Sequence, residues 1–160
     1  MFFTYTKPNF TTALNELNTL LESAKIDINT LLEQKEKNYA NFVKPYQEIF
    51  ESIEHFATPF SILNSTKNEA EIEKLYTDML PPLTEFDTDI KQNPALFSIF
   101  KTILEKEEST LTQAQIQVLK NEIRDFELSG ASLSKEKQER IKTINLRLSE
   151  IQNEFSQNLL

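Results

Sequence analysis

Apolar residues recur along this chain at steps of three and four, the period of a helix that buries one face. Residues 10–24 carry Leu14, Leu17, Leu20, Leu21 and Ala24 on one such face, and Thr11 or Thr12 is placed to cap its start. Asp27 is placed to cap a second, short helix around Ile28, Leu31 and Leu32, and the polar stretch 33–38 reads as a loop. A longer helix is expected from about Asn41, with Phe42, Val43, Tyr46, Ile49, Phe50, Ile53, Phe56 and Ala57 as a broad, aromatic-rich stripe. Pro45 falls in or beside its first turn, where proline is tolerated, whereas Pro59 is expected to kink or break it near Thr58.

The polar run 64–68 marks the next boundary. From Glu69 the pattern Ile72, Leu75, Tyr76, Met79, Leu80, Leu83, Phe86 and Ile90 returns at helical spacing, with Pro81 and Pro82 in its middle predicting a bend. Asn93 followed by Pro94 is a cap followed by a first-turn proline, opening a short helix with Leu96, Phe97, Phe100, Ile103 and Leu104. Thr112 with Gln115 three residues later forms a capping-box pattern ahead of Ile116, Leu119, Ile123 and Phe126. Gly130 falls where that helix should end, in the left-handed position glycine takes after a C-cap. Ser134 then caps a helix carrying Ile141, Ile144, Leu148, Ile151, Phe155 and Leu159. Two seams joined by a short link predict an antiparallel helical hairpin with coiled-coil-like packing. Ile144 and Leu148 lie in that seam, so an aspartate at either position is expected to unfold it. The seam runs to Leu159 without a terminal Gly, Pro or basic turn, as in a chain cut inside a longer helix.

Composition sharpens this reading. One Gly in 160 residues argues against a fold of many tight hairpins, which need residues at positive φ, and leaves an all-α, multi-helix bundle. Residues 1–160 are expected to form a single helical domain, with 1–110 as the bundle part and 111–160 as the hairpin. An apolar fraction of 39%, including twelve Phe and four Tyr, supplies a core. The net charge of −8 and the lack of a basic stripe disfavour nucleic acid as a partner. No apolar run approaches the roughly 18 residues of a membrane span, the first ten residues lack a signal pattern, and cysteine is absent. A cytoplasmic protein is the expectation.

No catalytic constellation follows from the residues. A helical zinc-protease site needs two His four residues apart, and this chain has one, His55, in the run Ile53-Glu54-His55-Phe56 with no nucleophile turn nearby. Cysteine-based zinc sites and glycine-rich phosphate loops are excluded by composition. The acids Glu69, Glu71, Glu73, Glu105, Glu107 and Glu108 read as solvated faces and loops rather than an acid–base pair. The stripe Phe42, Tyr46, Phe50, Phe56 and Phe60 reads as core, with a peptide groove as the functional alternative. No catalytic, cofactor-binding or metal-binding residue is therefore assigned.

Several stretches resemble the amino-terminal region of the thimet oligopeptidase family, in its oligopeptidase A branch. The most specific runs from Leu111 to Leu160: the helix ending Arg124-Asp125-Phe126, the turn Leu128-Ser129-Gly130, the helix start at 133–140, then Leu148-Ser149-Glu150 and Phe155-Ser156-Gln157-Asn158. A second block covers 42–60 with Pro45 and Pro59 and leads to Leu63 and Asn64. A third covers 79–93 with Leu80-Pro81, Glu85 and Gln92-Asn93. The blocks fall in family order over essentially the whole chain. The resemblance implies a piece of a cytosolic zinc metallopeptidase that cuts short, unstructured peptides. In that family a His-Glu-x-x-His helix and a further Glu hold zinc in the carboxyl-terminal half, and the amino-terminal helices wall a deep channel. None of those catalytic positions maps onto a residue here, so zinc and catalysis would belong to the missing carboxyl-terminal half. The alternative is a stand-alone helical module that binds a peptide or a partner protein. A third reading, an independent hydrolase, needs two carboxylates close together in a cleft.

Overall fold

The protein was analysed as a computed structural model that describes residues 10–66 and 69–158. Six α-helices and no strand occur among the described residues: α1 Phe10–Glu33, α2 Lys44–Thr66, α3 Ala70–Lys91, α4 Pro94–Glu107, α5 Gln113–Leu128 and α6 Lys135–Gln157. The all-α class expected from the single glycine holds.

Local chemistry explains most boundaries. Asn93 Oδ1 accepts from the main-chain N–H of Ala95 and Leu96 at 2.9 and 3.2 Å, with Pro94 in the first turn of α4. Thr112 and Gln115 form the reciprocal capping box at the start of α5. Gly130 ends that helix at φ 85°, the left-handed region where a side chain costs about 1–2 kcal/mol. Asn38 and Asn41 cap each other at the head of a π-helical turn, Tyr39–Val43, which leads directly into α2.

Other boundaries differ from expectation. Asp27 lies exposed inside α1, because the buried face Leu17, Leu21, Ala24, Ile28 and Leu31 never changes phase and no Gly or Pro interrupts it. Thr11 and Thr12 also lie within that helix rather than capping it. Pro59 does not end α2, whereas α3 runs through Pro81 and Pro82 as one helix, as the spacing predicts. Each of these prolines strips the partner from the carbonyl four residues earlier. Those carbonyls belong to His55, Thr77 and Asp78, all exposed residues, so water can take over the lost bonds.

Helices α1, α2 and α3 pack on one another, α4 pairs with α5, and α6 lies along α3. The core is a chain of rings. Phe100 of α4 meets Phe42 at 5.9 Å, Tyr46 at 5.0 Å and Phe126 at 5.4 Å between centroids, so one side chain joins the π-helical turn, α2 and α5. Lys91, at the end of α3, is ion-paired with Glu122 and lies 5.1–5.8 Å from the ring centres of Tyr46, Phe50 and Phe126.

The expected seam between α5 and α6 is corrected by this arrangement. Helix α6 turns toward α3 rather than zipping onto α5, and Ile144, Leu148, Ile151 and Phe155 are exposed. Leu159, the last position of that seam, lies outside the described residues.

Candidate functional site

Helix α6 presents two faces of opposite chemistry. Its inward face is a ladder of amides and one ion pair, spaced one or two turns apart. Gln138 Nε2 donates to the carbonyls of Gln92 and Gly130 at 3.1 and 3.0 Å, while Gln92 Nε2 donates back to the Gln138 carbonyl at 3.0 Å. Lys142 bonds Asp89 at 2.9 Å, which holds the lysine above its ordinary range, and Asn145 donates to Thr88 at 3.4 Å. Farther along, Gln157 Nε2 donates to Asn64 Oδ1 at 2.7 Å and Asn64 Nδ2 donates to Asn153 Oδ1 at 3.1 Å. Asn153 Nδ2 in turn donates to Thr77 at 2.9 Å. Asn64, Thr88 and Asn153 are buried, and Asn153 is the one buried residue described in α6.

Buried amides are tolerated only when bonded, and each such bond adds about 1 kcal/mol net. The ladder therefore fixes the register of α6 on α2 and α3 without the large stabilisation that apolar burial supplies. Beside Asn64 and Asn153 lies a cleft of about 250 Å³, lined mainly by neutral polar groups such as Ser61, Tyr76, Ser149, Gln152 and Ser156.

The second face is apolar. Ile144, Leu148, Ile151 and Phe155 follow one another at steps of four, three and four, roughly two fifths of a turn round the helix from the amides. They are 49%, 48%, 44% and 64% exposed, against 0% for Phe100 and Phe126 in the core.

The other sequence candidates fall elsewhere. Phe42, Tyr46 and Phe60 are buried, and Phe50 and Phe56 pack against the same core, so the aromatic stripe belongs to the core. Burial pushes the Tyr46 phenol well above its usual range, and Glu122, Asp87 and Asp125 reinforce the shift. Burial likewise raises the carboxyl of Asp87. His55 is exposed on α2. Glu107 accepts the Tyr39 N–H at 3.0 Å, and Glu108 pairs with Lys120 at 3.6 Å, so both tie elements together. Glu69, Glu71 and Glu73 lie at and just inside the start of α3, and Glu105 is exposed on α4. Among the described residues no group of three or more His, Cys, Asp or Glu is placed to hold a metal ion. No described helix is long and apolar enough to cross a membrane.

Sequence reasoning missed the amide face. Its signal is a run of uncharged polar residues at helical spacing, Gln138, Asn145, Ser149, Asn153 and Gln157, next to an apolar stripe. The stripe drew the attention because apolar residues normally face inward.

An all-helical bundle of this order defines a class that comparison with known proteins makes specific. The sequence model of the neurolysin/thimet oligopeptidase N-terminal domain matches residues 17–138. The chain belongs to that family and corresponds to its N-terminal domain. Oligopeptidase A of Haemophilus influenzae is 35% identical over 142 residues, covering 88% of this chain and 21% of that protein. Oligopeptidase A of Escherichia coli is 37% identical over 123 residues, 76% of this chain and 18% of that protein. An organellar oligopeptidase A of Arabidopsis thaliana, chloroplastic/mitochondrial, is 23% identical over 145 residues, 90% of this chain and 18% of that protein. The chain spans about a fifth of the length of the curated relatives it matches.

Proposed function

We propose that this chain is the helical, channel-forming amino-terminal part of a zinc-dependent oligopeptidase that hydrolyses short, unstructured peptides in the cytoplasm. The observation that carries the reading is the family match over 17–138, together with the oligopeptidase names of relatives about four times as long. The residues present do not fit a zinc site. The chain has one His and no Cys, and the described carboxylates are not grouped as ligands. Zinc binding and water activation therefore fall to the portion of the relatives that this chain does not span. What the chain itself supplies is a rigid helical wall and a face to which that portion can attach.

A stand-alone interaction module is the second reading, and the exposed stripe on α6 favours it as well, since a separate partner could cover the same face. The reading frame encoding this chain separates the two. Continuation into a His-Glu-x-x-His helix, with zinc-dependent cleavage of short peptides by the complete product, is the expected result. A frame that closes at Leu160 would overturn the peptidase reading and leave the interaction module.

A further inference from the structure

We propose that α6 is a bridging helix: its amide face seats it on this domain, and its apolar stripe is the docking surface for a helix of the polypeptide that follows in the longer relatives. This rests on the peptidase reading and adds to it the surface and the chemistry of the partner.

Three observations converge. The first is where the domain match stops. It ends at Gln138, four residues into α6, so Ile144, Leu148, Ile151 and Phe155 all lie beyond the portion common to the N-terminal domain. The second is spacing. Steps of four, three and four keep one straight seam along a helix, the arrangement that interlocks with another helix. The third is charge. Arg147, next to the seam, is already paired within α6, to Glu150 at 3.0 Å and Glu154 at 3.8 Å. The seam thus asks for an apolar helix face with residues at alternating steps of three and four, not for an oppositely charged surface. A second copy of this chain is a poorer occupant, because each copy carries a net charge of −8. The remaining four fifths of the relatives' length supplies ample chain to provide the helix.

The absence of cysteine makes the test direct. Leu148→Cys, Phe155→Cys and Thr143→Cys variants are made both in this 160-residue chain and in the complete product of its reading frame. Each is exposed to a maleimide, and labelling at the substituted position is read by peptide mass spectrometry. Thr143 is exposed on the remaining side of α6 and serves as the control. In the complete product, labelling at positions 148 and 155 is expected to slow roughly tenfold or more relative to this chain, as an interface core excludes the reagent. Position 143 should label at the same rate in both. Equal rates at 148 and 155 in a complete product that still cleaves peptides would overturn the docking proposal and leave the peptidase reading standing. A frame ending at Leu160 would overturn both. Sedimentation of the 160-residue chain as a dimer, with 148 and 155 already protected, would assign the face to a second copy and also overturn the proposal.

Discussion

The ring cluster joining α2, α4 and α5 and the seam joining α3 to α6 are both contacts between helices, yet they use opposite materials. Around Phe100 the contact is aromatic, with Phe42, Phe100 and Phe126 all fully buried. Along α6 it is made of glutamine, asparagine and threonine with the Lys142–Asp89 ion pair, and Ile144, Leu148, Ile151 and Phe155 lie on the outside. Apolar burial is non-directional and strong, so it stabilises the first region. Hydrogen-bonded amides are directional and weak on balance, so they specify where α6 sits more than they hold it there. The contrast explains how one chain can contain a closed core and, a helix away, a face still open to another part of a protein.

The contrast is sharpest at Phe100. Replacing it with alanine empties the point where three elements meet, and a loss of about 3–5 kcal/mol is expected in chemical denaturation. A loss under 1 kcal/mol would mean that the ring cluster is not the structural centre. On the amide side, Asn153→Ala removes the acceptor of buried Asn64 and the donor to Thr77. A loss of about 1–3 kcal/mol is expected, with faster amide exchange confined to α6 and the end of α2. Exchange that quickens equally in α4 and α5 would show that the two regions are not separable.

Between the two regions sits Gly130, the turn that delivers α6 to α3. Its φ of 85° disfavours any side chain, and an added Cβ would meet Ile141 Cδ1 and Leu133 Cδ1 at 2.9 Å. Gly130→Ala is expected to cost about 1–2 kcal/mol, read as a lower melting temperature. An unchanged melting temperature would mean that the turn tolerates a side chain. The smallest effect is expected on the apolar stripe. Ile144→Asp or Leu148→Asp should shift the stability of this chain by no more than about 0.5 kcal/mol, because both side chains are already about half exposed. Unfolding of α6 by either change, the outcome that inward packing of the seam would give, would break the comparison.

Elements with local chemical signals were legible in the sequence. Asn93-Pro94, the Thr112–Gln115 box and Gly130 each do in the structure what short-range chemistry requires of them. Signals that depend on surroundings were misread. Asp27 resembles a cap, but the continuing buried face of α1 outweighs it. Pro59 resembles a breaker, but α2 continues through it, because the carbonyl it frees belongs to an exposed residue. The orientation of α6 was illegible for a deeper reason. An apolar stripe states that something will cover it, without saying whether the cover lies in the same domain. The polar run on α6 is visible in the sequence, but its partners Asn64, Thr77, Thr88 and Gln92 come from α2, α3 and the residue that ends α3, and no spacing along the chain pairs them with it.

The most direct test is main-chain hydrogen exchange of the 160-residue chain under native conditions, comparing α6 with α4 and α5. If α6 is seated chiefly by its polar ladder, its residues 141–157 should exchange roughly tenfold or more faster than those of α4 and α5 around Phe100 and Phe126, through local opening rather than global unfolding. Equal protection across the three helices would contradict the account, because the polar seam would then anchor α6 as firmly as the aromatic core anchors its neighbours.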